Sequence, residues 1–103
     1  MRDTLKSPLT LADLRARRDE ILRLAQQYGA SNVRVFGSVA RDQAGQGSDV
    51  DLLVTVRDQV SVFELVGLWL DLKDLLGCEV SLITDGIPDR RFLRRIMSDA
   101  VTL

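Results

Sequence analysis

Apolar residues return at helical spacing over the first third of the chain. Leu14, Ile21, Leu22, Ala25 and Tyr28 fall on one side of a helix. Thr10 opens that helix as N-cap, with Asp13 at its third position, and Gly29 ends it. Residues 1–9 read as a short tail ahead of it. Arg15, Arg17, Arg18 and Arg23 fall on or beside the polar, solvated face. The period then changes. Asn32–Phe36 alternates Val33 and Val35 against Arg34, as a short half-buried strand does. Gly37 and Ser38 interrupt it, residues 39–44 have room for one helical turn, and Gln43–Ser48, with two glycines, reads as a loop. Asp49–Val56 (DVDLLVTV) is the strongest strand, rich in β-formers and nearly all apolar after its first residues. Ser61 and Glu64 form a capping box for a helix that runs to Leu76 and stops at Gly77. Its inward stripe is Leu65, Leu68, Trp69, Leu72, Leu75 and Leu76. Cys78–Ile83 predicts a third strand. Pro88 starts a last helix over about residues 88–98, with Phe92, Leu93, Ile96 and Met97 inward, and Val101–Leu103 adds an edge strand.

Helices that alternate with strands and are each apolar on one side must cover a sheet. The expected fold class is therefore α/β (α+β): a small mixed β-sheet flanked by helices, its first two strands antiparallel if their facing ends border one site. At 103 residues the chain has room for one domain, residues 1–103.

Composition narrows the chemistry. Hydrophobic residues make up 46%, which excludes wholesale disorder. Lys+Arg number 14 against 15 Asp+Glu, so a net charge of −1 gives no global attraction to nucleic acid or anionic lipid. Direct nucleic-acid binding is not expected. The chain has no histidine, which removes His-based nucleophile systems and metal sites. Cys78 is the one cysteine, so no disulfide closes within the chain; it reads as a small packing residue. No apolar run approaches the ~18 residues of a membrane span and no signal-like segment stands at the start, so a cytoplasmic location without membrane contact is expected. Chemistry must come from carboxylates, hydroxyls, backbone amides, arginines or a carboxylate-bound metal.

The segment Phe36–Val54 (FGSVARDQAGQGSDVDLLV) supplies such a set. Asp49 and Asp51 are two apart at a strand start and so share one face. Two carboxylates this close repel unless a cation neutralises them, and hard oxygen ligands favour Mg²⁺ or Mn²⁺. Gly37 permits a sharp backbone turn, and Ser38 with the amides after it can face a phosphate. Phosphate-facing amides opposite a metal-binding carboxylate pair suit nucleotidyl transfer, in which a hydroxyl attacks the α-phosphorus of a nucleoside triphosphate.

The pattern G-S-x-A-R, with ten residues between Ser38 and Asp49, then D-x-D-L-L-V, resembles the signature of the minimal nucleotidyltransferases (MNT) within the DNA-polymerase-β-like superfamily. Leu75-Leu76-Gly77 before a strand and the closing Ala100–Leu103 also resemble that family. The resemblance implies a polymerase-β-like nucleotidyltransferase fold. It implies ATP as substrate and Mg²⁺ (or Mn²⁺) on Asp49 and Asp51. Gly37, Ser38, Arg41 and Ser48 would then bind the nucleotide. Arg41 has two readings, a phosphate contact or an ion pair that holds the loop. The family pattern carries a third carboxylate in its third strand, where this chain has Ser81. Glu79, two residues earlier, is the candidate catalytic substitute; otherwise it is an exposed strand-end carboxylate. Val39 and Asp42 also stand where the family favours a basic residue and glycine.

Stand-alone chains of this kind resemble the antitoxins of gene pairs with HEPN-domain toxins. The resemblance implies transfer of AMP from ATP to a hydroxyl, a tyrosine of the HEPN partner. The alternative is a catalytically weakened nucleotide-binding antitoxin that acts by occupancy, because Ser81 replaces a carboxylate. A third reading, modification of a small molecule, fits less well because such relatives carry further acceptor-binding domains. Arg90, Arg91, Arg94 and Arg95 crowd the last helix. They form either a solvated face or a contact for an acidic partner or RNA.

Overall fold

A computed structural model describes residues 9–43 and 49–103. The capping box at Thr10 forms as expected: Asp13 N–H donates to Thr10 Oγ1 at 3.1 Å, and Thr10 N–H to Asp13 Oδ2 at 2.9 Å. The expected single helix is two, α1 (Leu11–Ala16) and α2 (Arg18–Gln27), broken at Arg17. No glycine or proline marks the break. Tertiary contacts accompany it: Arg17 Nη1 donates to Leu75 O at 2.6 Å, and Arg15 Nη2 to Thr102 O at 2.9 Å.

Strand β1 (Ala30–Phe36) begins earlier than the alternation suggests. Asn32 sits at φ 49, and the pairing register shifts between Ser31 and Arg34, so a bulge lets both Ala30 and Val33 turn inward. One turn, α3 (Gly37–Ala40), follows directly, two residues ahead of the expected turn. Strand β2 (Val50–Val56) then pairs antiparallel with β1. Its capping box in place, α4 (Val62–Leu76) ends at Gly77 in the left-handed conformation, and β3 (Val80–Thr84) lies parallel to β2. The last helix, α5 (Arg90–Met97), starts two residues after Pro88, because Asp89 is the N-cap: its side chain accepts from Phe92 N–H at 3.1 Å. The edge strand β4 (Val101–Thr102) pairs antiparallel with β1. The sheet order is β3-β2-β1-β4, a mixed sheet with helices on both faces.

Strand alternation divides the core. Val33, Val35, Val50, Leu52, Val54 and Val80 face α1, α2 and α4, where Leu14, Ile21, Leu68 and Leu72 complete the main cluster. Tyr28 reaches across Gly67 of α4, where a Cβ would lie 2.7 Å from its ring, and donates its hydroxyl to Asp71. On the other face, Leu53 packs under Leu93 and Ile96 of α5, with Phe36, Ile83 and Ile87. Phe92 and Met97, expected inward, are instead exposed: α5 is short and touches the sheet through one narrow line. Trp69 and Leu75 pack at the margin of the main cluster, and Trp69 Nε1 donates to Val80 O. Among the described residues no helix is long and apolar enough to cross a membrane.

Beside α5 the same face carries a polar knot. Arg34, its side chain only 11% exposed, donates to Asp85 Oδ2 at 2.9 Å and to Thr55 Oγ1 at 3.1 Å, and Thr55 donates to Asp85. Partial burial works against the Asp85 charge, but the bonds from Thr55 and Arg34 hold its carboxyl below the ordinary aspartate value. Asp85→Ala would leave Arg34 unpaired and is expected to cost about 2 kcal/mol in urea unfolding. A depressed carboxylate stabilises the fold above its unfolded pKa of about 3.9, and that contribution disappears as pH falls toward the folded value. Wild type should therefore lose more stability than Asp85→Ala between about pH 5 and pH 2; equal losses would contradict this role.

Candidate active site

Asp51 is the centre of the site. On β2 it pairs with Phe36 of β1 on one side and Ser81 of β3 on the other. It shares the α5 face of the sheet with Leu53, one alternation further along. Gly37 follows Phe36 at φ +74, a conformation that favours glycine. A Cβ on Gly37 would lie 2.2 Å from Asp51 Oδ2. A side chain there would have to displace the Asp51 carboxylate, so the backbone turn of α3 approaches that carboxylate closely.

Burial pushes the Asp51 carboxyl above the ordinary aspartate value. A hydrogen bond with Ser81 pulls it down, the nearby Asp49 charge raises it, Arg41 lowers it and Asp99 raises it. Asp49 itself is exposed and stands one residue outside β2, not within the strand. The two carboxylates thus differ: one is lodged between strands and costs energy to ionise, the other faces solvent. The half-buried, repelled charge on Asp51 and the oxygen-only donors suit a hard divalent cation whose remaining ligands come from water or a substrate. Among the described residues there is no group of three or more acidic, His or Cys side chains placed to hold a metal.

The other sequence candidates fall as follows. Ser38 lies in α3, half-buried, and its carbonyl accepts from Gln43 N–H at 2.8 Å, which folds the loop start back onto the turn. Arg41 caps the end of α3; its guanidinium pairs with Asp99 and donates to Gln43 Oε1 at 3.1 Å. Of its two readings, this conformation shows the ion pair. Ser48 lies outside the described residues. Ser81 occupies the position beside Asp51 where the resemblance expects a carboxylate. Glu79 is not joined to the cluster: its side chain, 69% exposed, pairs with Lys73 Nζ at 3.3 Å, and Lys73 in turn stacks over Trp69. The groove lined by Val62, Val66, Trp69 and Leu82 belongs to the α4 face, away from Asp51.

Asp99 is the site residue that sequence reasoning missed. It sits 58 residues from Arg41 in the chain, between α5 and β4. A lone aspartate after a helix carries no motif, so only the fold brings it to the site.

A model for the nucleotidyltransferase domain family matches residues 18–101. A Methanocaldococcus jannaschii protein, provisionally named a protein adenylyltransferase, is 39% identical over 70 residues, which cover 63% of this chain and 71% of the relative. A second from the same organism, of the same name, is 32% identical over 82 residues, covering 80% of this chain and 88% of its own length. Among solved structures, one described provisionally as a minimal nucleotidyltransferase superposes with TM-score 0.81 at 38% identity, covering 92% of this chain and 97% of that one. A chain from a toxin–antitoxin crystal structure with AMP-PNP shares the fold, with TM-score 0.71 at 17% identity over 82% of this chain and 69% of that one.

Proposed function

The chain belongs to the nucleotidyltransferase domain family, and from that premise we propose that it transfers AMP from ATP to a hydroxyl on a partner protein. The observation that carries this reading is the close approach of the Gly37 backbone to Asp51, where a Cβ would meet the carboxylate. It lets a backbone turn and a metal-binding carboxylate meet the same triphosphate. Asp49 and Asp51 would hold Mg²⁺ (or Mn²⁺), which when bound supplies positive charge to the triphosphate and to the departing pyrophosphate. Gly37 leaves its backbone open to phosphate oxygens. Arg41, tied to Asp99, keeps the end of the α3 turn in place. Ser81 holds the Asp51 carboxylate through its hydroxyl. In the reaction the acceptor oxygen bonds to the α-phosphorus, the bond to the β-phosphate bridging oxygen breaks, and pyrophosphate leaves. The acceptor proton passes to solvent, since serine is no base at neutral pH.

The match to chains named protein adenylyltransferase, among them MntA of Thermococcus cleftensis at 37% identity over 60 residues, supports a protein acceptor. Fold neighbours include an MNT antitoxin in complex with a tri-AMPylated HEPN toxin of Shewanella oneidensis. A HEPN-domain toxin is accordingly the proposed partner, a tyrosine its acceptor, and the antitoxin role the biological outcome. The chain mixed with such a partner, Mg²⁺ and ATP labelled at either the α- or the γ-phosphate is expected to fix only the α-label on the partner. Label from the γ-position on the partner, or none from either, would overturn the transfer reading.

A second reading is favoured by Ser81 and by the Lys73 pairing of Glu79: the chain binds nucleotide and silences its partner chiefly by occupancy. Losing a general base typically costs 10²- to 10⁴-fold, about the gain expected on restoring one. Ser81→Asp should therefore speed transfer by about 10²-fold or more, while Glu79→Gln, removing a solvent-facing ion pair, leaves the rate unchanged. Lost activity in Glu79→Gln, with no gain in Ser81→Asp, would place the base at Glu79.

A further inference from the structure

We propose that the outer face of α5 is the docking surface for the acceptor protein, and that the acceptor presents an acidic, partly apolar surface to it. The inference rests on the transfer reading above. Leu93 and Ile96 turn inward, which leaves Arg90, Arg91, Arg94 and Arg95 exposed, with Phe92 and Met97 exposed among them. None of the four guanidinium groups has a carboxylate partner among the described residues, whereas Arg34 and Arg41 do. The nearest acids in sequence are engaged elsewhere, Asp89 as the N-cap of α5 and Asp99 with Arg41. Arg90 with Arg94, and Arg91 with Arg95, are like charges four apart, a spacing that weakens a helix. The free chain thus tolerates a concentrated charge that an external anion would neutralise.

Position ties this surface to the reaction. The residue α5 covers, Leu53, is two along β2 from Asp51, and the chain leaving α5 reaches Asp99, which holds Arg41 beside the site. A protein seated on α5 therefore lies on the same side of the sheet as Asp51. The chemistry of the face favours protein over RNA. Eight residues span about 12 Å, which meets few phosphates. A net charge of −1 adds no attraction for a polyanion. Arginine with an aromatic residue and methionine is the mixture enriched in protein interfaces.

The test compares the intact wild-type chain with a quadruple variant, Arg90→Gln, Arg91→Gln, Arg94→Gln and Arg95→Gln, and with the milder pair Arg91→Gln and Arg95→Gln, each checked by thermal melting. Probes are a random Glu/Tyr copolymer, a Lys/Tyr copolymer, N-acetyltyrosinamide and a single-stranded RNA oligomer. Wild type is expected to bind the Glu/Tyr copolymer at least about tenfold more tightly than the Lys/Tyr one, with the preference fading at high salt and in both variants. With α-labelled ATP, the quadruple variant should raise KM for the Glu/Tyr copolymer about tenfold, leaving kcat and labelling of N-acetyltyrosinamide unchanged. Charge-dependent copolymer binding without any labelling would sustain the docking surface and overturn the transfer reading. Labelling unaffected by the arginines, or RNA bound more tightly than the Glu/Tyr copolymer, would overturn the docking surface.

Discussion

Asp51→Asn is expected to abolish nucleotidyl transfer while making the free chain more resistant to heat. The two effects share one cause. Burial between β1 and β3, with Asp49 nearby, raises the Asp51 carboxyl above its ordinary value. A raised carboxyl favours the fold while it is protonated, fully so below the unfolded pKa near 3.9. That contribution is lost as pH rises through the folded value, so at pH 7 the ionised group destabilises the fold. Asparagine has the same shape and no charge, so the neutral-pH penalty disappears. It cannot hold a divalent cation as carboxylate does, and lost metal assistance of several kcal/mol corresponds to about 10³-fold or more in rate. Melting curves at pH 4 and pH 8 check the first half: the stabilisation should be clear at pH 8 and small at pH 4. A variant that melts lower than wild type at pH 8, or that keeps its transfer rate, would contradict the account.

The site was partly legible because its residues are close in sequence and its glycine carries a local meaning. Gly37, Ser38 and the Asp49–Asp51 spacing lie within one strand–turn–strand unit, and the antiparallel return of β2 along β1 brings them together. The capping boxes at Thr10 and Ser61 and the stop at Gly77 are likewise local, and all three formed. What escaped the sequence depends on distant partners. The break at Arg17 comes with its bond to Leu75, and Asp99 joins the site through Arg41. Ala30 and Ser31 escaped because the bulge at Asn32 breaks the alternation that marks a strand. Phe92 and Met97 were misplaced because a stripe shows which side of a helix is apolar, not how wide its contact with the sheet is. The consequence of Glu79's position was hidden for the same reason: alternation puts it on the Ser81 face, but Lys73 of α4 holds its carboxylate.

Gly37→Val should eliminate nucleotide binding altogether. Its branches would enter space that already holds Asp51 Oδ2, 2.2 Å from the Cβ position. The carboxylate would be displaced and the phosphate approach blocked at once. A φ of +74 adds backbone strain of about 1–3 kcal/mol for a β-branched residue, so a lower melting temperature is expected too. Gly37→Ala separates the two effects, since it keeps the strain near 1–2 kcal/mol and adds only the Cβ. It should still melt cooperatively and still fail to bind ATP with Mg²⁺. Retained binding in Gly37→Ala would reduce Gly37 to a turn residue.

In the proposed site the Asp49–Asp51 pair is expected to hold a cation only together with a triphosphate. Calorimetric titration of ATP into wild type and Asp49→Asn, each with and without Mg²⁺, is the measurement for this. Asp49 is exposed and lies outside β2, so its replacement leaves the strand pairing and the Gly37–Asp51 approach untouched. Wild type should bind ATP at least about tenfold more tightly with Mg²⁺ than without, and Asp49→Asn should lose that gain while matching wild type in metal-free ATP affinity. Equal Mg²⁺-dependent ATP affinity in the two proteins would contradict the assignment.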